Sequence, residues 1–491
     1  MSLSDNADPK VASSTPHAGP AAPAPPKQAK PGSARRRRAL TGVLAGLAVV
    51  VTVAAAGGLL WQIAAVASPT TGTFTTPEAY PPADPAPVLA SSNADAAVPD
   101  LASVLPGLLA DDRLNGSTSA SFADALTGEV LFEQDGATPL APASSMKVVT
   151  AVSALENLGP EYRIPTTVVE GPTPESVVLV AGGDVTLTVD GEGYYSEYAQ
   201  GASLKELADA VIAARDGAPI AIVYLDTSLF TDDPKAVGVP AEDLTYMTAP
   251  MAPIMVDGGR MDSTQKYAEH YTDPAMSAAK EFAELVGAGE EVRVDEGTVA
   301  AGTAPEDAKE LATVYSAPMA ALVDSFILTS DNLLADAISL QTALAVEGEM
   351  TWAAMSTAHL ATLESMGVDT TGLVFHDGSG LSPQNRMTAN AFTGLLLGAA
   401  DSLAASVFES LPVAGYSGTL GGRFDTAEDG KGVVRAKTGT LSGVSSLTGT
   451  MTTADGRQLV FSLISNQATS GEDSVEAAMD EISAAVAQCG C

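Results

Sequence analysis

The sequence predicts an α+β fold carried outside a membrane by a single N-terminal transmembrane helix, and three observations carry that reading. An uncharged apolar run covers 39–67 directly after Arg35 to Arg38. Two short strand-like runs precede an apolar helix that opens at Pro142-Ala143-Ser144 and stops before Gly159. Three further strand-like runs and one amphipathic helix close the chain between Val433 and Val486.

The membrane segment comes first. A hydrocarbon core of roughly 30 Å needs about 20 helical residues, and 39–67 exceeds that length. The four arginines predict a cytoplasmic N-terminus and an extracytoplasmic body at the cell membrane. Ala65-Val66-Ala67 before Ser68 has the small-x-small form of a cleavage site, so a cleaved signal peptide with a secreted product is the competing reading. The run is longer than a signal core of about 7–15 residues, which favours a retained anchor. Residues 1–38, rich in Pro, Ala, Ser and Lys, read as a disordered cytoplasmic tail. Residues 68–100 hold seven prolines and read as a semi-extended stalk.

A chain of 491 residues has room for two or three domains. Its 24 Lys and Arg against 60 Asp and Glu give a net charge of −36; residues 1–38 carry +5, which leaves −41 on the rest. So acidic a body repels nucleic acid, and the basic cluster is its one membrane-surface feature. Cys489 and Cys491 are the only thiols, too few for a zinc site or a disulfide scaffold, and no metal or other cofactor is expected.

In the body, Ser119 to Ala125 and Glu129 to Gln134 read as a hairpin across Leu126-Thr127-Gly128. Met146, Val148, Val149, Val152, Leu155 and Leu158 give the next helix a broad apolar face. From about Gly171 to Glu306, Val177 to Val180, Ile220 to Tyr224 and Val292 to Val294 read as strands among short helices. Helices follow at Met319 to Leu328, just after Pro318, and at Leu333 to Leu344, broken by Ser330-Asp331-Asn332. Strands at Val433 to Lys437, Val444 to Met451 and Gln458 to Ile464 lead to a helix from about Asp473 to Val486.

Three short motifs carry chemistry. In Ser144-Ser145-Met146-Lys147 the i and i+3 side chains share one helix face, so the Lys147 amine can reach the Ser144 hydroxyl. Serine needs such a neighbouring base, and a lysine serves once burial or nearby cations lower its pKa. The helix N-terminus also aims backbone N–H groups at an oxyanion. Ser330-Asp331-Asn332 suggests a polar loop facing a cleft. In Lys437-Thr438-Gly439-Thr440 the cation and hydroxyls could hold a carboxylate, with Gly439 letting a substrate backbone approach an edge strand. Each motif alone has a plain alternative as a chance match, a helix cap or a turn. His17, His270, His359 and His376 come without a Gly-x-Ser-x-Gly elbow or a His-Glu-x-x-His pair, which disfavours a Ser-His-Asp hydrolase or a zinc peptidase.

Together and in this order the three motifs match the set of penicillin-binding proteins and class A β-lactamases. From about Leu101 onward the chain resembles the penicillin-binding protein 4 type D-alanyl-D-alanine carboxypeptidases, the low-molecular-mass class C penicillin-binding proteins. Gly182-Gly183-Asp184-Val185-Thr186-Leu187, Leu225-Asp226-Thr227-Ser228-Leu229-Phe230, Asp377-Gly378-Ser379-Gly380-Leu381-Ser382 and Gly418-Thr419-Leu420 ahead of Arg423 extend the likeness. The resemblance implies a penicillin-binding, β-lactamase-like transpeptidase domain, an antiparallel sheet flanked by helices, formed by 101–169 and 308–491. A mostly β inserted domain at 170–307 would split it, and Ser144 and Ser330, 186 residues apart, leave room for that.

The resemblance also implies a serine-type D-Ala-D-Ala carboxypeptidase that acts on peptidoglycan stem peptides and is acylated by β-lactam antibiotics. Ser144 would be the nucleophile, Lys147 its base, Ser330 the relay to the leaving amine and Asn332 a binder of the substrate amide. Lys437 with Thr438 and Thr440 would hold the terminal carboxylate beside Gly439, and the backbone N–H groups of Ser144 and Thr440 would form the oxyanion hole. A DD-endopeptidase activity stays open. The alternatives are a β-lactamase, which shares this chemistry but deacylates quickly, and a catalytically idle cell-wall-binding protein of the same fold.

Overall fold

Twelve strands, β1 to β12 in chain order, lie among the residues described by the computed structural model, which are 93, 95–287 and 299–489. The expected tail 1–38, the membrane segment 39–67, most of the stalk, the Val292 to Val294 strand and Cys491 fall outside them. Among the described residues no single helix is long and apolar enough to cross a membrane.

The expected hairpin forms from β1 (Ser117–Asp124) and β2 (Val130–Gln134), paired antiparallel. The Asp124 carboxylate accepts the Leu126 and Thr127 N–H groups at 2.9 and 2.8 Å, and Gly128 supplies the left-handed residue of the turn, with φ 72°. The last three strands, β10 (Val434–Leu441), β11 (Val444–Thr452) and β12 (Gln458–Asn466), join this hairpin in one antiparallel sheet ordered β10-β11-β12-β1-β2. The early and late parts of the chain therefore share a sheet, and β10 is one of its edges.

Both faces of that sheet are covered, which is why β12 is buried almost end to end instead of alternating with solvent. On one face Phe122, Phe461, Leu463 and Leu447 pack under the Leu101–Leu109 and Glu472–Ala487 helices, with Phe122 and Phe461 stacked at 5.8 Å. On the other, Ala123, Val460 and Ile464 meet a layer of helices: Met146–Leu158, Met319–Thr329, Asn332–Glu347, Trp352–Ser365 and Ala389–Ala399. Polar strand residues on that side are small and paired, as with the Ser121 and Thr393 hydroxyls at 2.9 Å and those of Thr448 and Ser462 at 2.9 Å.

The interval between the Met146–Leu158 and Met319–Thr329 helices builds a second sheet, ordered β8-β6-β4-β3-β9. Its strands are β3 (Pro165–Glu170), β4 (Ser176–Val180), β6 (Ile222–Asp226), β8 (Val299–Ala301) and β9 (Glu310–Tyr315). β3 pairs antiparallel with β4 and β9, while β4, β6 and β8 run parallel. The Leu204–Ala214 and Pro274–Leu285 helices supply its apolar cover through Leu207, Val211, Ala279 and Phe282. β5 (Asp184–Leu187) and β7 (Ile254–Val256) form a small separate pair. The inserted segment does not stand apart from the helical layer: Tyr195, Phe230, Met251 and Met255 belong to the same core as the Met146–Leu158, Met319–Thr329 and Asn332–Glu347 helices.

Residues 93 and 95–100, the described end of the expected stalk, lie against the sheet's turn at 453–457. The Asn93 N–H donates to the Gly456 carbonyl at 2.8 Å and Arg457 Nη1 to that of Ala96 at 2.7 Å.

Candidate active site

Ser144 sits in a short 3-10 turn, Ala143–Ser145, that runs straight into the Met146–Leu158 helix. The turn is held by two side chains. Asn466, at the end of β12, exchanges two hydrogen bonds with the backbone of Ala141, at 2.9 and 3.0 Å. The Ser446 hydroxyl donates to the Pro142 carbonyl at 2.6 Å and meets the Ser145 hydroxyl at 2.8 Å. Ala143 takes a left-handed φ of 47°, a conformation a non-glycine residue keeps only when its surroundings impose it.

Gly439 explains how close the edge strand β10 comes to this turn. A Cβ there would lie 2.3 Å from Ser446 Oγ, 2.7 Å from the Pro142 carbonyl oxygen and 2.8 Å from the Ser144 nitrogen. The backbone that approaches this glycine is thus the chain's own Ser144 turn. Gly439→Ala is expected to push β10 off the turn, costing about 1–3 kcal/mol of stability. It should also slow covalent labelling of Ser144 by roughly 100-fold, since ångström misplacement is costly to reactivity. Thermal unfolding and a labelling time course with fluorescent penicillin check both, and a parent-like labelling rate contradicts the account.

One helical turn on, Lys147 is fully buried, and its Nζ has three oxygen neighbours: Ser144 Oγ at 3.1 Å, Asn332 Oδ1 at 2.7 Å and the Ser379 carbonyl at 2.7 Å. The Asn332 amide is oriented by its Nδ2, which donates to the Met247 carbonyl at 2.9 Å. Both Asn332 Oδ1 and the Ser379 carbonyl can only accept. A neutral Lys147 amine gives them its two hydrogens and is left with a lone pair facing the Ser144 hydroxyl. Burial drives the amine toward that neutral form, lowering its pKa to about 8 against the upward pull of Asp336, Asp377 and Asp331.

Asp336 and Asp377 carry the wall opposite the amine. Asp336 Oδ1 accepts the Gly378 and Ser379 N–H groups at 3.0 and 2.8 Å, and Asp377 accepts those of Gly380 and Ser382 at 2.7 and 2.5 Å. These bonds set the Ser379 carbonyl at Lys147. Burial pushes the carboxyl pKa of both up, well up for Asp336, which Asp377 raises further. Gly380 also packs on the Ser144 turn, where a Cβ would lie 1.9 Å from the Ala143 carbonyl oxygen.

The other two motifs reach the same cleft. Ser330, at φ 58° and ψ 41°, is the left-handed residue between two helices, Asp331 caps the second through the Leu334 N–H at 2.9 Å, and Asn332 opens it. On β10 the alternation of a strand puts Thr438 and Thr440 on one face and Lys437 on the other. The Thr438 hydroxyl donates to that of Thr419 at 2.8 Å and the Thr440 hydroxyl to Glu476 Oε1 at 2.5 Å. Glu476 is itself paired with Arg423 at 3.1 Å, and Arg423 with Asp480 at 2.6 Å. Lys437 is fully buried, donates to the Thr438 carbonyl at 2.8 Å and is pushed well below the ordinary lysine pKa by that burial. Ser144, Ser330, Asn332, Thr438 and Thr440 line one cleft of about 300 Å³, with Tyr246, Met247, Lys266 and Tyr267 supplied by the inserted segment.

A family model, the D-Ala-D-Ala carboxypeptidase 3 (S13) family, matches residues 101–275 and 263–486. The chain belongs to the S13 family. Among its S13 relatives, Carboxypeptidase Rv3627c of Mycobacterium tuberculosis is 35% identical over 408 residues, covering 81% of this chain and 86% of that protein. Carboxypeptidase DacB of Mycolicibacterium smegmatis is 34% identical over 460 residues, covering 91% and 96%. In fold, the chain is similar to the crystal structure of penicillin binding protein 4 from Haemophilus influenzae, with a TM-score of 0.63 at 20% identity over 77% of this chain and 98% of that one. The α+β transpeptidase-like architecture with a β-rich insertion is therefore that of the S13 proteins.

Several residues of this S13 site do not come from the three motifs. Asp336 lies one helical turn beyond Asn332, and only its contact with the 377–382 loop reveals its part. Arg260, Lys266 and Met247 come from the insertion and reach the Ser330 loop across the cleft. His270 Nδ1 donates to the Thr245 carbonyl at 3.0 Å, and His359 is buried against Phe375 and kept neutral, its pKa lowered to about 3.

Proposed function

We propose that this S13 protein is a serine-type D-Ala-D-Ala carboxypeptidase that trims peptidoglycan stem peptides through an acyl-enzyme on Ser144. The observation that carries the reading is the Lys147 amine at 3.1 Å from Ser144 Oγ, with its other two contacts fixed on acceptors. Lys147 takes the hydroxyl proton as Ser144 Oγ bonds to the carbonyl carbon between the two terminal D-alanines. The backbone N–H groups of Ser144 and Thr440 hold the oxyanion. As the C–N bond breaks, Ser330 passes the proton from Lys147 to the departing amine and the last D-alanine leaves. Water then attacks the ester and regenerates Ser144.

In this reading Thr438 and Thr440, with Lys437 beneath the strand, hold the terminal carboxylate. Asn332 binds the substrate amide and Gly439 keeps β10 in reach. β-Lactam antibiotics present the same carbonyl and carboxylate and acylate Ser144. The catalytic domain is 101–169 with 308–491, and 170–307 is the inserted domain. Residues 39–67 anchor the protein, with 1–38 as cytoplasmic tail and 68–100 as stalk, so that the catalytic domain faces the cell wall. The purified full-length protein is expected to release one D-alanine from a stem pentapeptide and to stay labelled by penicillin. Rapid multiple turnover of a chromogenic cephalosporin without D-alanine release would replace this reading with a β-lactamase.

A further inference from the structure

Ser330 makes no side-chain bond among those described, yet each residue around it is held by the insertion. Lys266 Nζ donates to the Thr329 carbonyl, the last of the helix before Ser330. Arg260 Nη2 pairs with Asp331 Oδ2 at 2.9 Å, a pair whose side chains are 4% and 2% exposed. The Tyr195 hydroxyl donates to the same oxygen at 3.3 Å, and Asn332 Nδ2 reaches the Met247 carbonyl at 2.9 Å. The two cations are themselves joined, because Arg260 Nε donates to the Lys266 carbonyl at 3.2 Å. Arg260 is fixed in turn by the Asp257 carbonyl at 2.9 Å and by the Tyr194 ring, 4.0 Å below its guanidinium.

We propose that the 260–266 segment of the insertion is a clamp that fixes Ser330 for proton transfer, gripping the chain on both sides of it, at Thr329 through Lys266 and at Asp331 through Arg260. Three facts favour this. Ser330 is in the left-handed region, which a serine leaves readily unless both flanks are tied. A buried ion pair gives little net stability, so a pair at this place is better spent on geometry. Asp331 is a two-sided bridge, with Oδ1 on the Leu334 N–H of the following helix and Oδ2 on Arg260. Arg260 and Lys266 are then positioning residues, and the insertion is part of the catalytic apparatus. The clamp rests on the reading of Ser330 as the proton relay.

The test compares full-length Ser330→Ala, Lys266→Met and the pair Arg260→Met with Asp331→Asn, which removes both buried charges together and so leaves neither stranded. Acylation by fluorescent penicillin and D-alanine release from a stem pentapeptide are measured per labelled site, on the plateau of the pH profile, so that unfolded protein and altered titration do not count. Both clamp variants are expected to lose kcat by about 100-fold, the scale of an ångström-level misplacement, with KM for the pentapeptide unchanged. Lys266→Arg, which can still cap the Thr329 carbonyl, is expected to recover most of the rate. If the clamp variants keep the parent kcat while Ser330→Ala is slow, the clamp is wrong and the relay stands. If Ser330→Ala itself keeps the parent rate, the relay reading falls and takes the clamp with it.

Discussion

Ser144→Ala is expected to cut D-alanine release by about 10⁶-fold, the scale seen when a covalent nucleophile is removed, and to abolish penicillin labelling. The fold should survive. Ser144 is only partly buried, and its hydroxyl meets Lys147 Nζ as its one described side-chain partner. The turn around it is held by Asn466, Ser446 and Gly380, none of which needs the Ser144 side chain. Loss of one hydrogen bond costs about 1 kcal/mol, so circular dichroism and thermal unfolding should stay close to the parent. Full labelling of this variant would assign the nucleophile elsewhere.

Lys147→Met is the second large effect. Removing a positioned general base costs up to about 10⁴-fold, and methionine fills much the same volume without an amine. The variant keeps Ser144 in its turn but leaves its hydroxyl without a base, because the other two acceptors around the lost amine, Asn332 Oδ1 and the Ser379 carbonyl, are amide oxygens that take up no proton near neutral pH. The expected signature is a slow acylation whose rate no longer depends on a group titrating near about 8. A penicillin labelling rate within tenfold of the parent would show that another group takes the proton.

Much of this was readable in the sequence because the decisive contacts are local or periodic. A serine and a lysine three residues apart on an apolar helix must share a face, and the Ser144 to Lys147 distance follows. The hairpin at 117–134 and the strands at 434–466 carry their turn residues and their apolar runs in plain sight. The Trp352–Ser365 and Ala389–Ala399 helices have no counterpart among the elements expected from the sequence, since residues buried on several sides blur the helical period. The wall of the site was hidden for another reason. Asp336 meets Ser379, Arg260 meets Asp331 and Gly439 meets Pro142 through contacts between distant parts of the chain, and no spacing within one segment encodes them. Gly439 is also where β10 closes on the Ser144 turn.

The insertion changes what the site is made of. Its second sheet is separate, but Tyr246, Met247, Lys266 and Tyr267 line the cleft and Tyr195 lies in the helical core. A variant in 195–267 can therefore reach the chemistry without touching any of the three motifs.

The uncharged Lys147 amine is the point on which the mechanism turns, and the pH dependence of penicillin acylation, counted per reactive serine, reads it directly. In the proposed mechanism the deprotonated form is the base, so the second-order rate constant should rise about tenfold per pH unit below the amine's pKa and level off above about 8. A rate that is unchanged across that range, or that falls as the amine loses its proton, would contradict it.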